Sequence, residues 1–542
     1  MRLLAAIPLS LTLLTWPAFA AGDLELTYSA LELPGAPAQL IPVEIDGDPG
    51  PELAVVVVYT AWDNITIEES SEMDDIAGLV AVMTIVPALM ENRQLWLFDL
   101  GDDGAWRPLT EPLELTSDIL SLEAIDHAAV PLLALTDAGA EAIGLGTSAP
   151  LALVRELLVD QPPAIAGSRA FLPGMRWTHD LDSDPWPDLL LPRAGGWDIY
   201  RGSETGFAAG PSDRLTSPQF DETETPRRLD LPLPEVRDVD GDGLADLVVP
   251  HPLDGWQDFW VYVNKGGATF GDPVGPLGRM EPLGEEGEAS HDIVFFDDLD
   301  NDGKAEYVSQ AEIQLDPEAG MRKEMAHAKV PPHRYRIFDA ETGTLERAGQ
   351  RREFVTDGYS FPDDSDVGLP GGLWDLDGDG RKDLLTLTLD FSMLQAVRIA
   401  VAHSISLGLD FHILCQQDDG SFRKVTGLDL SGRFKLNLDN FSQGQLSMFD
   451  GDFDGDGRKD FVQIGRGREV SIHRGREGCR FPASPDLEIQ LKQAPRDLAL
   501  VSVLDLDGDG LSDLSVVQLQ GKGSDGQSAP VRLDLYTSGG GR

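Results

Sequence analysis

A nine-residue pattern returns seven times in this chain, with Asp or Glu at positions one, three, five and nine. Five copies keep Gly at position six: Asp238, Asp240, Asp242, Leu244 and Asp246; Asp298, Asp300, Asp302, Lys304 and Glu306; Asp375, Asp377, Asp379, Arg381 and Asp383; Asp452, Asp454, Asp456, Arg458 and Asp460; Asp505, Asp507, Asp509, Leu511 and Asp513. Two copies are worn: Asp180, Asp182, Asp184 and Asp188, where Ser183 and Pro185 replace loop glycines, and Glu44, Asp46, Asp48 and Glu52, where Pro49 replaces one. Carboxylates on alternate residues, with Gly where the loop reverses, suit a hard cation that takes six to eight oxygens at short range, position seven contributing its backbone carbonyl. Calcium is the ion this set predicts, with five strong and two degenerate sites. An ordinary solvated turn needs Asp, Asn or Gly somewhere, but not in this register.

The residues after each loop decide its setting. A helix–loop–helix calcium motif places a bidentate Glu at position twelve and continues as a helix. Here position twelve is Val249, Ser309, Thr386, Gln463 or Val516, and the following residues are β-rich, as in Leu247-Val-Val and Leu384-Leu-Thr-Leu-Thr-Leu389. These loops therefore enter strands.

The spacing sets the architecture. Successive motifs from Asp180 begin 58, 60, 77, 77 and 53 residues apart, and a four-stranded propeller blade takes roughly 40–60 residues. The 136 residues from Glu44 to Asp180 hold two blades and an insertion; the second of these, around Leu122 to Asp137, repeats the strand–turn–strand pattern without its carboxylates. The expectation is an all-β, eight-bladed β-propeller with seven cation loops on one face, or alternatively a seven-bladed ring with an irregular N-terminal addition. After Asp513 the chain has room for two more strands of the last blade but not for a fourth. Residues 24–33 resemble the fourth strand 487–491, so the N-terminal strand is predicted to complete the last blade and close the ring.

The stretches 238–270, 375–422 and 452–481 resemble the FG-GAP/VCBS repeats of bacterial surface and secreted proteins and of the integrin α-subunit propeller. The resemblance covers nearly the whole mature chain. It implies a calcium-bearing propeller that acts in adhesion or lectin-like binding, and a few proteins with such repeats are polysaccharide lyases.

Residues 1–20 read as a secretory signal: Arg2, an apolar stretch from Leu3 to Trp16, and a small-residue cleavage site at Ala18 to Ala20. Residues 21–542 would then form the propeller, in the periplasm, on the cell surface or outside the cell, where calcium is plentiful. The formal charge is −51, and seven divalent cations would still leave about −37. That field argues against nucleic acid or anionic lipid as a partner. Only Cys415 and Cys479 are present. Two partly buried thiols in neighbouring repeats are the expectation, and a single bridge the alternative.

Insertions fall at about residues 60–92, 311–333 and 392–408, on the face opposite the cation loops. Apolar, helical-looking runs at 76–90 and 393–402 are both too short to span a bilayer. They are expected to pack on one another over the channel, with a protein- or glycan-binding surface as the functional alternative. Membrane contact is not expected, and the sequence sets no oligomeric state. No GxSxG, HExxH, Walker or CxxC motif occurs. His327, His333, His403 and His412 sit in or beside the insertions, where two of them could converge. The function predicted is a calcium-binding adhesion or binding module without catalytic residues, and the alternative is a polysaccharide-degrading enzyme on the same scaffold.

Overall fold

The computed structural model describes residues 24–47, 50–60, 91–101, 104–147, 150–163, 171–172, 174–193, 195–217, 233–250, 259–277, 292–312, 328–329, 332–339, 350–360, 372–391, 404–426, 431–437, 440–465, 467–495, 501–518 and 531–539. They form strands and turns, with no helix among the described residues. The strands make eight antiparallel blades around a ring. Blade 1 comprises Ala36–Val43, Glu52–Thr60 and Glu91–Leu100 with the short Trp106–Pro108 and Leu113–Leu115, and blade 2 comprises Ile119–Ala124, Leu132–Thr136, Gly139–Leu145 and Leu153–Asp160. Blade 3 is Thr178–His179, Asp188–Arg193, Gly196–Tyr200 and Asp213–Thr216; blade 4 is Glu235–Arg237, Asp246–Pro250, Phe259–Tyr262 and Val274–Leu277. Blade 5 is Asp292–Asp297, Glu306–Glu312, His333–Asp339 and Gln350–Thr356; blade 6 is Gly372–Trp374, Asp383–Phe391, Ser404–Gln416 and Phe422–Lys424. Blade 7 is Asn440–Gly451, Asp460–Ile464, Glu469–His473 and Leu487–Gln490.

Blade 8 takes Val501–Leu504, Asp513–Gln518 and Val531–Ser538 from the end of the chain, and its fourth strand, Leu26–Leu33, from the beginning. Leu26 lies opposite Ser538 and Leu33 opposite Val531. Leu31 and Leu33 enter the same apolar cluster as Val55 of blade 1 and Leu533 of blade 8. Pairing of the two ends removes the edges that an open array would present to solvent.

Apolar burial shows the closure independently. Among the described residues eight buried clusters exist, each shared between one pair of neighbouring blades, and the pair formed by blades 8 and 1 is among them. Second strands lie between neighbours on both faces, so they are buried along their length: all six residues of Asp513–Gln518 are buried, the polar Asp513, Ser515 and Gln518 included. The outer strand Leu487–Gln490 instead alternates half-buried with exposed residues.

Two features extend the simple ring. Ser431–Asn437 pairs with both Ser404–Gln416 and Asn440–Gly451, which merges blades 6 and 7 into one sheet. Ala328–Lys329, which follows the second strand of blade 5, pairs with Phe391 and Asp390 of blade 6. Residues 404–408, assigned above to an insertion, are thus strand. The helical-looking runs at 76–90 and 393–402, and the leader expected at 1–20, lie outside the described residues.

The cysteines correct the expectation of separate thiols. Cys415, on the third strand of blade 6, is bonded to Cys479, in the turn after the third strand of blade 7, with 5.9 Å between their Cα atoms. Both are 1 % exposed. The bridge forms because the third strand of blade 6 ends where the turn of blade 7 packs, a meeting of residues 64 apart in sequence.

Candidate metal centres

Every acidic loop joins the first strand of a blade to its second, so all seven open on one face of the ring. Asp48 lies outside the described residues. Within a loop the carboxylates organise the backbone. In the Asp238 copy, Asp238 Oδ1 accepts from Gly241 N at 2.7 Å and its Oδ2 from Gly243 N at 2.8 Å. Asp240 Oδ1 accepts from Asp242 N at 3.2 Å, and Asp242 Oδ1 from Leu244 N at 2.9 Å. The first-position pattern recurs at Asp375, Asp452 and Asp505, each of which accepts from the N–H groups at positions four and six. Position six reverses the chain with a positive φ, +84° at Gly243 and +85° at Gly510, which glycine adopts without strain.

The ninth position has a second role. Asp246 Oδ2 accepts from Val239 N at 2.9 Å, and its Oδ1 accepts from Asn264 N at 2.7 Å, at the end of the third strand. Asp383, Asp460 and Asp513 hold the same two kinds of donor, the second being Gln416 N, Gly475 N or Ser538 N. Each such carboxylate therefore ties three strands of its blade together, and each is at most 1 % exposed. Burial pushes Asp383, Asp460 and Asp513 up to about 7 and Asp188 and Asp246 up to about 6; neighbouring loop carboxylates add to the shift. Glu52 in blade 1 rises to about 7 for the same first reason.

Carboxylate oxygens converge. Asp238, Asp240 and Asp246 offer atoms within 4.8 Å of one another, as do Asp298, Asp300 and Asp302, Asp375, Asp377 and Asp383, and Glu44, Asp46 and Glu52. The donor set fits a hard cation on a further ground: Asp377 Oδ1 and Asp454 Oδ1, at position three, are buried and accept no hydrogen bond. A buried carboxylate oxygen without a donor is costly unless a cation faces it. The other oxygen of Asp377 accepts from Gly478 N of blade 7 at 2.6 Å, next to the disulfide.

The copies differ in the cations they already hold. Arg381 and Arg458, at position seven, turn their side chains back to Asp379 and Asp456 at position five, the latter at 2.7 Å. Arg201 and Arg474, each just beyond a third strand, face the position-three carboxylates Asp182 at 3.6 Å and Asp454 at 3.3 Å. The Asp238 copy makes no such ion pair among the described residues. Sequence spacing concealed Arg201 and Arg474, because each follows its loop by about one strand hairpin.

The worn copies have physical accounts. Pro185 brings no N–H to position six, so Asp180 keeps one loop donor, Ser183 N at 2.8 Å, with Ser183 at φ +60°. In blade 2 an imidazole replaces the carboxylates. His127 Nδ1 accepts from Ala129 N at 3.2 Å and Val130 N at 3.1 Å, and Nε2 donates to the Ser203 carbonyl of blade 3 at 2.7 Å.

Between this tight turn and the Asp180 loop lies a cavity of about 600 Å³. Its walls include the first strands of blades 1, 2 and 3, through Gln39, Glu123 and His179. Glu123 accepts from Trp177 N at 2.9 Å and Thr178 Oγ1 at 2.7 Å, and burial raises it above the usual carboxylate range. Burial, with Arg176 and Arg237 nearby, pushes His179 down to about 4. The histidines singled out beside the insertions do not supply this site: His333 packs on Tyr359, His412 lies 3.4 Å from Thr388 Oγ1, and His327 and His403 fall outside the described residues. No helix of the described residues is long and apolar enough to cross a membrane.

No protein-family model matches the sequence, and no curated protein matches it. Among solved structures, the chain is similar to Sqt1 from Chaetomium thermophilum at 9 % identity, over 94 % of this chain and 100 % of that one, with a TM-score of 0.33.

Proposed function

We propose that this chain is an exported, calcium-binding propeller of the FG-GAP/VCBS type that serves as a binding module for a protein or glycan ligand. The observation that carries the proposal is the set of carboxylates clustered in loops on one face, in which Asp377 and Asp454 keep buried oxygens without donors. Calcium, when bound, neutralises charge that the loops otherwise hold at high local density. Asp238, Asp240, Asp242 and Asp246 would hold it in blade 4 with the Leu244 carbonyl, and the matching residues in the other blades. The chain's own contribution is positional, since strand ends and loop amides fix the carboxylates before the ion arrives. A rigid closed ring then presents its connecting segments as the surface available to a ligand.

An enzymatic reading draws on the 600 Å³ cavity, which collects Arg176, His179 and Glu123. One fact weighs against it: His179, pushed down to about 4, is a weak base at neutral pH.

Capture tests the proposal. The mature chain is immobilised in calcium, exposed to envelope extract and to polysaccharides, and eluted with chelator. A protein or intact glycan released by chelator is the expected result. A glycan recovered shortened would move the enzymatic reading forward, and retention that ignores calcium would defeat the calcium-dependent module.

A further inference from the structure

Blade 2 is where the acidic pattern fails, and the space left there has its own chemistry. The turn fixed by His127 stands beside the Asp180 loop, and the cavity of about 600 Å³ opens between them against the first strands of blades 1, 2 and 3. That volume lies within the range of sites for small organic ligands. Its polar groups come from three blades. Gln39 Oε1 is a buried oxygen with no hydrogen-bond partner. Glu123, already held by Trp177 N and Thr178 Oγ1, has lone pairs left to accept further hydrogen bonds. Arg176 is exposed and makes no ion pair or hydrogen bond with the described residues. Trp186, half-buried against His127 with ring centroids 5.1 Å apart, supplies an aromatic wall.

We propose that this cavity binds an acidic saccharide unit, with Arg176 on its carboxylate, Gln39 and Glu123 accepting from its hydroxyls, and Trp186 against its ring. In a chain of formal charge −51 an anion needs a local cation that is not already paired, and Arg176 offers a planar fork suited to a carboxylate. The acceptors choose the ligand class. A sugar ring brings several hydroxyl donors beside its carboxylate to meet Gln39 Oε1 and Glu123, whereas an acidic side chain brings none and a peptide offers only its backbone N–H groups. Asp126, Asp180 and Asp184 line the same cavity, so calcium held by the Asp180 loop would offset part of the negative charge that an entering anion meets beside Arg176. The inference rests on the binding-module reading and names its ligand.

The test titrates the mature full chain with tetragalacturonate, with neutral tetragalactose of the same length, and with an acidic peptide, by calorimetry and tryptophan fluorescence, in calcium and in chelator. The expected result is at least tenfold tighter binding of the acidic saccharide than of either other probe. Arg176→Ala should abolish that preference and Arg176→Lys keep part of it, and both should melt close to the parent because Arg176 is exposed and makes no hydrogen bond or ion pair with the described residues. Equal binding of neutral and acidic sugars, tighter binding of the peptide, an unaffected Arg176→Ala protein, or no saturable binding would each overturn the inference. Acidic-sugar binding that survives in chelator and still depends on Arg176 would uphold it, while removing the Asp180 loop from the calcium reading.

Discussion

The backbone N–H of Lys382 donates to the carbonyl of Leu299 at 2.9 Å, tying the acidic loop of blade 6 to that of blade 5. The same link runs from Ala305 N to Asp238 O at 3.0 Å, from Lys459 N to Leu376 O at 3.0 Å, and from Ser512 N to Asp452 O at 2.8 Å. Five consecutive loops, in blades 4 to 8, thus form one hydrogen-bonded arc. Each loop must sit close against the next, which gives the glycine at position four a role apart from that at position six.

A pair of substitutions separates the two roles. A Cβ on Gly378 would lie 2.8 Å from the Gly457 carbonyl oxygen, at φ +73°, whereas one on Gly510 meets nothing within 4 Å, at φ +85°. Gly510→Ala should cost about 1 kcal/mol from backbone strain alone, and Gly378→Ala roughly 2–4 kcal/mol, because backbone must also move. Denaturant unfolding of both variants measures the difference, and equal losses would count against the nested arrangement.

Removing a position-three carboxylate such as Asp240, which ties no strands together, should matter mainly when calcium is present. A site with a dissociation constant near 10⁻⁴ M contributes about 1.4 kcal/mol at millimolar calcium. Asp240→Ala, in a loop that makes no ion pair among the described residues, should therefore lose about that much in calcium and under ~0.5 kcal/mol in chelator. Equal losses in both conditions would dismiss the Asp238 loop as a calcium site.

In chelator the ninth-position carboxylates give the chain an unusual pH dependence. Asp383, Asp460 and Asp513 are pushed up to about 7 in the fold, from ordinary carboxylate values when unfolded. The folded state then binds more protons than the unfolded state between about pH 4 and 7, so stability present at the acid end is lost as pH rises through 7. The melting temperature of the chelated protein should fall from pH 5 to pH 8. Added calcium should reverse most of that fall, and a chelated protein that gains stability over this interval would contradict the assignment.

The Cys415–Cys479 bridge closes a loop of 64 residues between two blades. Replacing both cysteines by serine should cost roughly 2–4 kcal/mol. Mass spectrometry of unreduced peptides tests the bridge itself: one linked pair is expected, and two alkylated thiols in protein purified without reductant would refute it.

Much of the fold was legible because it is local and repeated. Alternating carboxylates followed by apolar β-rich runs located the loops and second strands, and the shortage of residues after Asp513 pointed to a strand supplied from elsewhere. The remainder depends on distant encounters. Asp383 meets Gln416 N only because the third strand returns beside the second. Cys415 meets Cys479, and Asp182 meets Arg201, through packing that no spacing reveals. The cavity beside His127 was visible in the sequence only as a gap, a repeat whose carboxylates were missing. Its polar groups, Gln39, Glu123 and Arg176, come from separate blades and their connections, so no contiguous motif marks them.

The most direct test of the calcium account is thermal unfolding of the protein in millimolar calcium and in chelator. Seven loops at about 1.4 kcal/mol each predict a rise on the order of 10 °C in calcium, growing with the logarithm of its concentration. Identical melting temperatures in the two conditions would contradict it.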